Sequence, residues 1–78
     1  MEYHIGQIVI FPYNFTPRHF AKCDGMEMEL KSNQALFSLL GTKFGGDGVD
    51  CFCLPKIEDP CKGLSYYICI NGIYPERN

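Results

Sequence analysis

What this sequence lacks excludes several functional classes at once. It has no basic surplus: seven Lys and Arg stand against nine Asp and Glu, for a formal net charge of −2. Lys22, Lys31, Lys43, Lys56 and Lys62 are scattered singly among acids. Nucleic-acid binding leaves a basic stripe, so no nucleic-acid partner is expected. No apolar run approaches the ~20 residues of a membrane span, so no membrane partner is expected either. The opening residues carry Glu2 where a secretory signal carries basic residues, and Ile8 to Phe11 is too short for its apolar core. The expected location is a cytoplasm, or a particle that leaves one.

Catalytic groupings are equally scarce. The two histidines, His4 and His19, have no cysteine or carboxylate at motif spacing and read as surface residues. Carboxylates pair only as Glu27/Glu29, on the polar face of a strand, and Glu58/Asp59, in a loop between prolines. Acid–base work needs a desolvated pocket, so no enzyme, no catalytic residue and no cofactor are expected. Five cysteines, an odd number, argue against a disulfide framework. Cys51-x-Cys53 with Cys61 nearby is the one grouping that resembles a metal site. Zinc pairs come with two to four intervening residues, so free, mostly buried thiols are favoured and a metal or a disulfide is the alternative.

What is present is a folded-domain composition, 46% hydrophobic and 14% aromatic over 78 residues. That length allows one domain, 1–78. Folding at this size buries only about 60% of the chain's surface, so a partner subunit or other staple is expected. Lys31 to Leu54 organises the rest. Ser32 and Asn33 are good helix N-caps, Ala35, Leu36, Phe37, Leu39 and Leu40 make a short apolar helix, and Gly41 suits its C-cap. Gly45-Gly46-Asp47-Gly48 follows. Consecutive N–H groups can cradle an anion, but Asp47 would repel phosphate, so a turn from helix to strand is the better reading.

About four to five short strands are expected around this helix. Ile5 to Phe11 carries apolar residues on both faces, which suits a central strand; Pro12 ends it. Phe20 to Cys23 and Met26 to Leu30 flank Asp24-Gly25, a turn pair that predicts a hairpin. Asp50 to Leu54 alternates, with Phe52 and Leu54 on one face. Tyr66 to Ile70 precedes a second turn pair, Asn71-Gly72. The predicted fold class is α+β, a single short helix on a small mixed or antiparallel sheet. The exposed aromatics and arginines, Tyr13, Phe15, Arg18, Tyr66, Tyr74 and Arg77, are the residue types most enriched at binding hot spots; Phe15 and Tyr66 suit core closure equally well.

These motifs, taken in order, resemble the phage tail collar domain family. Ile5-Gly6-Gln7-Ile8, Asn14-Phe15-Thr16-Pro17-Arg18 and Cys23-Asp24-Gly25 are similar to its opening. Ser32 to Gly41, Thr42, Phe44 and Gly45 to Gly48 resemble its helix and loop, Phe52, Leu54 and Pro55 its next strand, and Tyr67 to Asn78 its end. The chain departs at His19-Phe20, where the family has Gly-Trp, and at Lys56, where it has aspartate. Ile57 to Ser65 is short where long members carry a glycine-rich extension, and Cys51, Cys53 and Cys61 lie outside the pattern. The resemblance implies a non-enzymatic structural or adhesion protein of phage or prophage origin. It further implies a homo-oligomer, with a trimer favoured, that meets other tail proteins and resides in the virion or host cytoplasm. The alternative is a phage-encoded sponge that sequesters a host nucleotide-like signal in inter-subunit pockets, with Arg18, Tyr13, Tyr74 and Arg77 as ligand-binding residues.

Overall fold

The computed structural model describes residues 3–76. It has one helix, α1 (Gln34–Leu40), and five short strands: β1 (Ile8–Phe11), β2 (Phe20–Lys22), β3 (Glu27–Glu29), β4 (Cys51–Cys53) and β5 (Ser65–Cys69). The α+β class holds, but the strands form two antiparallel sheets rather than one. A three-stranded sheet runs β1-β5-β2, and β3 pairs with β4.

Two expectations are corrected. β1 lies at an edge and β5 is central. Of the apolar residues on the two faces of β1, Val9 and Phe11 are half-buried while Ile8 and Ile10 stay exposed. Ile8 and Ile10 pair across with Ile68 and Tyr66, while Val9 and Phe11 pair with Tyr67 and Ser65. Val9 and Phe11 pack on a second small cluster of Phe20, Tyr67 and Cys69, apart from the main core of Leu36, Phe52, Leu54 and Ile68. Nor do β2 and β3 form a hairpin. The ladder of β2 is taken by β5, with Phe20 opposite Cys69, and that of β3 by β4, with Met28 opposite Phe52. Asp24 instead turns the chain from one sheet to the other. Its Oδ1 accepts the Met26 N–H at 3.0 Å, and it bridges to Lys56. The short-range turn signal was real; its pairing was long-range.

The helix falls where the apolar pattern places it, with Leu36 fully buried and Phe37 against Phe52 at 5.4 Å. Asn33 is its N-cap by position, but its side chain does not cap. Its Nδ2 donates to the Glu29 carbonyl at 2.8 Å, and the Ser32 hydroxyl donates to the Glu29 carboxylate. Both tie the helix start back to β3. At the other end Gly41, φ 58°, donates its N–H to Phe37 O at 2.7 Å.

The glycine loop sets the path into β4. Asp47 Oδ1 accepts three backbone N–H groups, from Val49 at 2.9 Å, Asp50 at 2.9 Å and Cys51 at 3.1 Å. The loop therefore spends its donors on its own carboxylate and architecture, as the turn reading required. Gly46 crosses β4 so closely that a Cβ would lie 2.4 Å from the Phe52 Cα, at a φ of +95°. Only glycine fits there. Beyond β4, residues 58–63 are all exposed, and the segment is tied back by the Ile57 N–H to Cys23 O at 3.0 Å.

Two substitutions test this loop. Gly46→Ala combines a positive φ with a backbone clash and is expected to cost about 3 kcal/mol in urea denaturation. The three amides, Val49 first, push the Asp47 carboxyl down to about 2. Because folding lowers this pKa, its contribution is full above about pH 4 and is lost as pH falls through about 2. Asp47→Asn is expected to lower the urea midpoint at pH 7, and its deficit should close between about pH 4 and pH 2. A deficit that stays constant across that window would show the charge plays no part.

Candidate functional site

A cleft of about 430 Å³ opens on the side of the three-stranded sheet near Phe20. Three chain segments build its walls: the N-terminal Tyr3, the Arg18-His19-Phe20 approach to β2, and the Cys69 to Ile73 exit from β5. Backbone bonds fix them to one another. Phe20 donates its N–H to Pro17 O at 3.1 Å, closing a turn, and Ile70 donates to His19 O at 2.9 Å. Ile73 donates to Tyr3 O at 3.0 Å. Gly72 allows this approach, since a Cβ there would meet Tyr3 O at 2.4 Å. The Tyr3 ring stands edge-on to Phe20, 5.0 Å between centroids. The cleft thus carries two aromatic side chains, Tyr3 and Phe20, with Arg18 and His19 on one wall.

His19 has φ 70°, and among the described residues it is the one non-glycine residue with positive φ. A β-carbon in that region costs roughly 1–2 kcal/mol. Histidine is one of the few residue types enriched there, but glycine would sit without strain. It is the position at which the resembling family carries glycine, so that substitution pattern was the readable signal. Sequence reasoning placed His19 on the bland surface and overlooked Tyr3 entirely.

The other named candidates lie elsewhere. Tyr13 does not line the cleft; it is sandwiched between Phe11, at 5.0 Å and 13°, and Phe15, at 4.9 Å and 11°. This stack continues inward, because Phe11 meets Phe20 edge-on at 5.3 Å. The Tyr67 hydroxyl donates to Tyr13 O at 3.2 Å, fixing the turn. Phe15 is 60% exposed at the outer end, whereas Tyr66 packs half-buried against the core. The period of two in Phe11, Tyr13 and Phe15 was visible, but Pro12 broke it into strand and turn. Tyr74 shares a 2.6 Å hydrogen bond with Ser38 Oγ and so docks on α1. Arg77 lies outside the described residues. Of the three candidates that are described, Arg18 alone lines the cleft.

The cysteines do not converge. Among the described residues no three His, Cys, Asp or Glu side chains are placed to hold a metal ion. All five thiols are free; Cys23 and Cys69 are buried, Cys51 and Cys53 half-buried and Cys61 exposed. Burial, with the Asp24 charge behind it, pushes the Cys23 thiol up to about 11. At Cys51 the Asp47 hydrogen bond pulls down, yet desolvation and the Glu27 and Asp47 carboxylates together hold the thiol above its usual value. Neither is an activated nucleophile.

The model of the phage tail collar domain family matches residues 6–59, from the strand-opening glycine to the loop after β4. The chain belongs to the phage tail collar domain family. That is a structural family of phage tails, not known for enzymes. The matched span contains α1, the Asp47 loop and the Arg18 wall of the cleft, while β5 and Ile73 lie beyond it. No curated relative and no solved structure matches this collar domain. Among its described residues, no helix is long and apolar enough to cross a membrane. The thiol geometry yields a simple check. A disulfide-exchange reagent is expected to modify Cys61 first, Cys51 and Cys53 slowly, and Cys23 and Cys69 only after denaturant is added. Rapid loss of all five thiols in buffer would contradict the burial described.

Proposed function

We propose that this collar domain works as a homo-oligomeric component of a phage tail, a trimer being the expected order. The observation that supports this most is the free edge of β1. Among the described residues it leaves one row of ladder groups unpaired by any strand, with Ile8 and Ile10 42% and 44% exposed beside it. Soluble proteins usually blunt such an edge with lysine or a bulge, and β1 carries neither. What guards it is its shortness, four residues, and Pro12 just beyond the strand.

Surface area agrees. The chain exposes 5440 Å², where a monomeric protein of 8.9 kDa is expected to expose about 4,800 Å². The radius of gyration, 12.4 Å, also exceeds the ~11.5 Å expected for this length. The excess is of the order that one protomer buries in a standard interface, ~800 Å². A three-fold ring would use a heterologous contact, with β1 of each copy against a different surface of the next.

Size-exclusion chromatography with light scattering at micromolar concentration tests the reading. The expected mass is three times 8.9 kDa, and Ile10→Lys, which charges the edge without touching the buried core, is expected to shift it towards one protomer. A clean monomer for the unsubstituted chain would overturn the proposal.

A further inference from the structure

The cleft beside Phe20 has a charge pattern unlike the rest of the chain. Nine acids are distributed over this sequence, yet among the described residues no carboxylate lines the cleft, whose polar wall is Arg18, His19 and Asn71. The Arg18 guanidinium is permanently charged and carries five donors in a flat fork. Facing the same space are the Tyr3 and Phe20 rings and Ile73, so the remaining wall is apolar. A volume of about 430 Å³ lies within the range of small-molecule sites, roughly 300–1,000 Å³.

Strain supplies the independent observation. His19 holds a left-handed backbone, φ 70°, on the cationic wall itself. Its carbonyl is locked to Ile70 at 2.9 Å, so the conformation is imposed by the sheet and not by the side chain. A strained side chain kept where glycine would be relaxed points to a use for that side chain. The imidazole adds a ring N–H donor next to the arginine, directed by a backbone that cannot rotate away.

We infer that the cleft binds a small anion carried on a flat ring, with the anionic group on Arg18 and His19 and the ring against Tyr3 and Phe20. Arginine matches a carboxylate or phosphate in a bidentate pair, and the aromatic wall takes the ring by edge or face contact. The site is complete within one chain. It therefore stands or falls separately from the oligomer, and differs from a pocket shared between subunits. Cys69 lies under the cleft as a buried floor, its thiol donating to Asn71 O at 3.4 Å.

Phenyl phosphate is the minimal probe, with inorganic phosphate and phenol as its two halves. Titration followed by amide chemical shifts is expected to move Phe20, Asn71 and Ile73, with a dissociation constant of about 1 mM or lower. Each half should bind at least about tenfold more weakly, and affinity for the whole should fall as salt rises to about 0.3 M. Arg18→Ala, at an exposed position, is expected to weaken binding about tenfold or more. His19→Gly separates use from architecture: binding should weaken about threefold while the melting temperature rises by about 4 °C or more. Shifts confined to other surfaces, inorganic phosphate binding as tightly as phenyl phosphate, or full affinity in Arg18→Ala would each overturn the inference. Unchanged binding in His19→Gly would remove the role given to the histidine and overturn the two-donor site.

Discussion

One carboxylate oxygen holds the middle of this domain together. Asp47 Oδ1 gathers the N–H groups of Val49, Asp50 and Cys51, three donors that otherwise face only solvent. That knot fixes the direction in which the chain enters β4. Gly48 then donates to Cys51 O at 3.0 Å, and Cys53 donates to Gly45 O at 3.1 Å, pressing the loop onto the strand. With β4 so held, Phe52 and Leu54 point into the core and meet Leu36 from the helix. A 7-residue helix has no stability of its own. It exists because Phe52 is there to receive it, and Phe52 is there because of Asp47.

The second constraint is the central position of β5. It is the one strand with partners on both sides, and its side chains supply both cores: Ile68 to one face, Tyr67 and Cys69 to the other. Dividing the apolar residues between two faces leaves neither core large. The small cluster depends on Phe11 and Phe20 meeting edge-on, and the outer part of its stack remains in solvent. A chain of this length that covers both sides of a sheet runs out of residues to cover its edge. The open margin of β1 follows from that shortage, and it is the physical ground of the proposed assembly.

Local order was legible in the sequence, whereas partnership was not. The helix at 34–40, the glycine turn and all five strands lie within a residue or three of where periodicity and turn residues put them. The edge position of β1 and the split into two sheets were hidden, because they are decided by which strand reaches β5 first. Asn33 illustrates the same limit on a smaller scale: its cap position was readable, but Glu29 O captured its side chain. Arg18, named from residue type alone, does line the cleft. Tyr3 and Ile73 could not be named so, since they join it only through the chain's two ends meeting at Gly72. His19 was readable as a histidine in a glycine's place, a signal about backbone angle, and its place on the cleft wall emerged only from the fold.

The exposed run 58–63 has a consequence for how such a domain diversifies. None of its side chains enters either core, and its entrance is already fastened by Ile57 to Cys23 O. Lengthening a loop between fixed ends costs only about 0.6 kcal/mol per doubling. Folding and display are therefore separable in this architecture. The Asp47 knot and β5 form a frame whose stability is only weakly coupled to the length of the segment between β4 and β5, so that segment is free to vary.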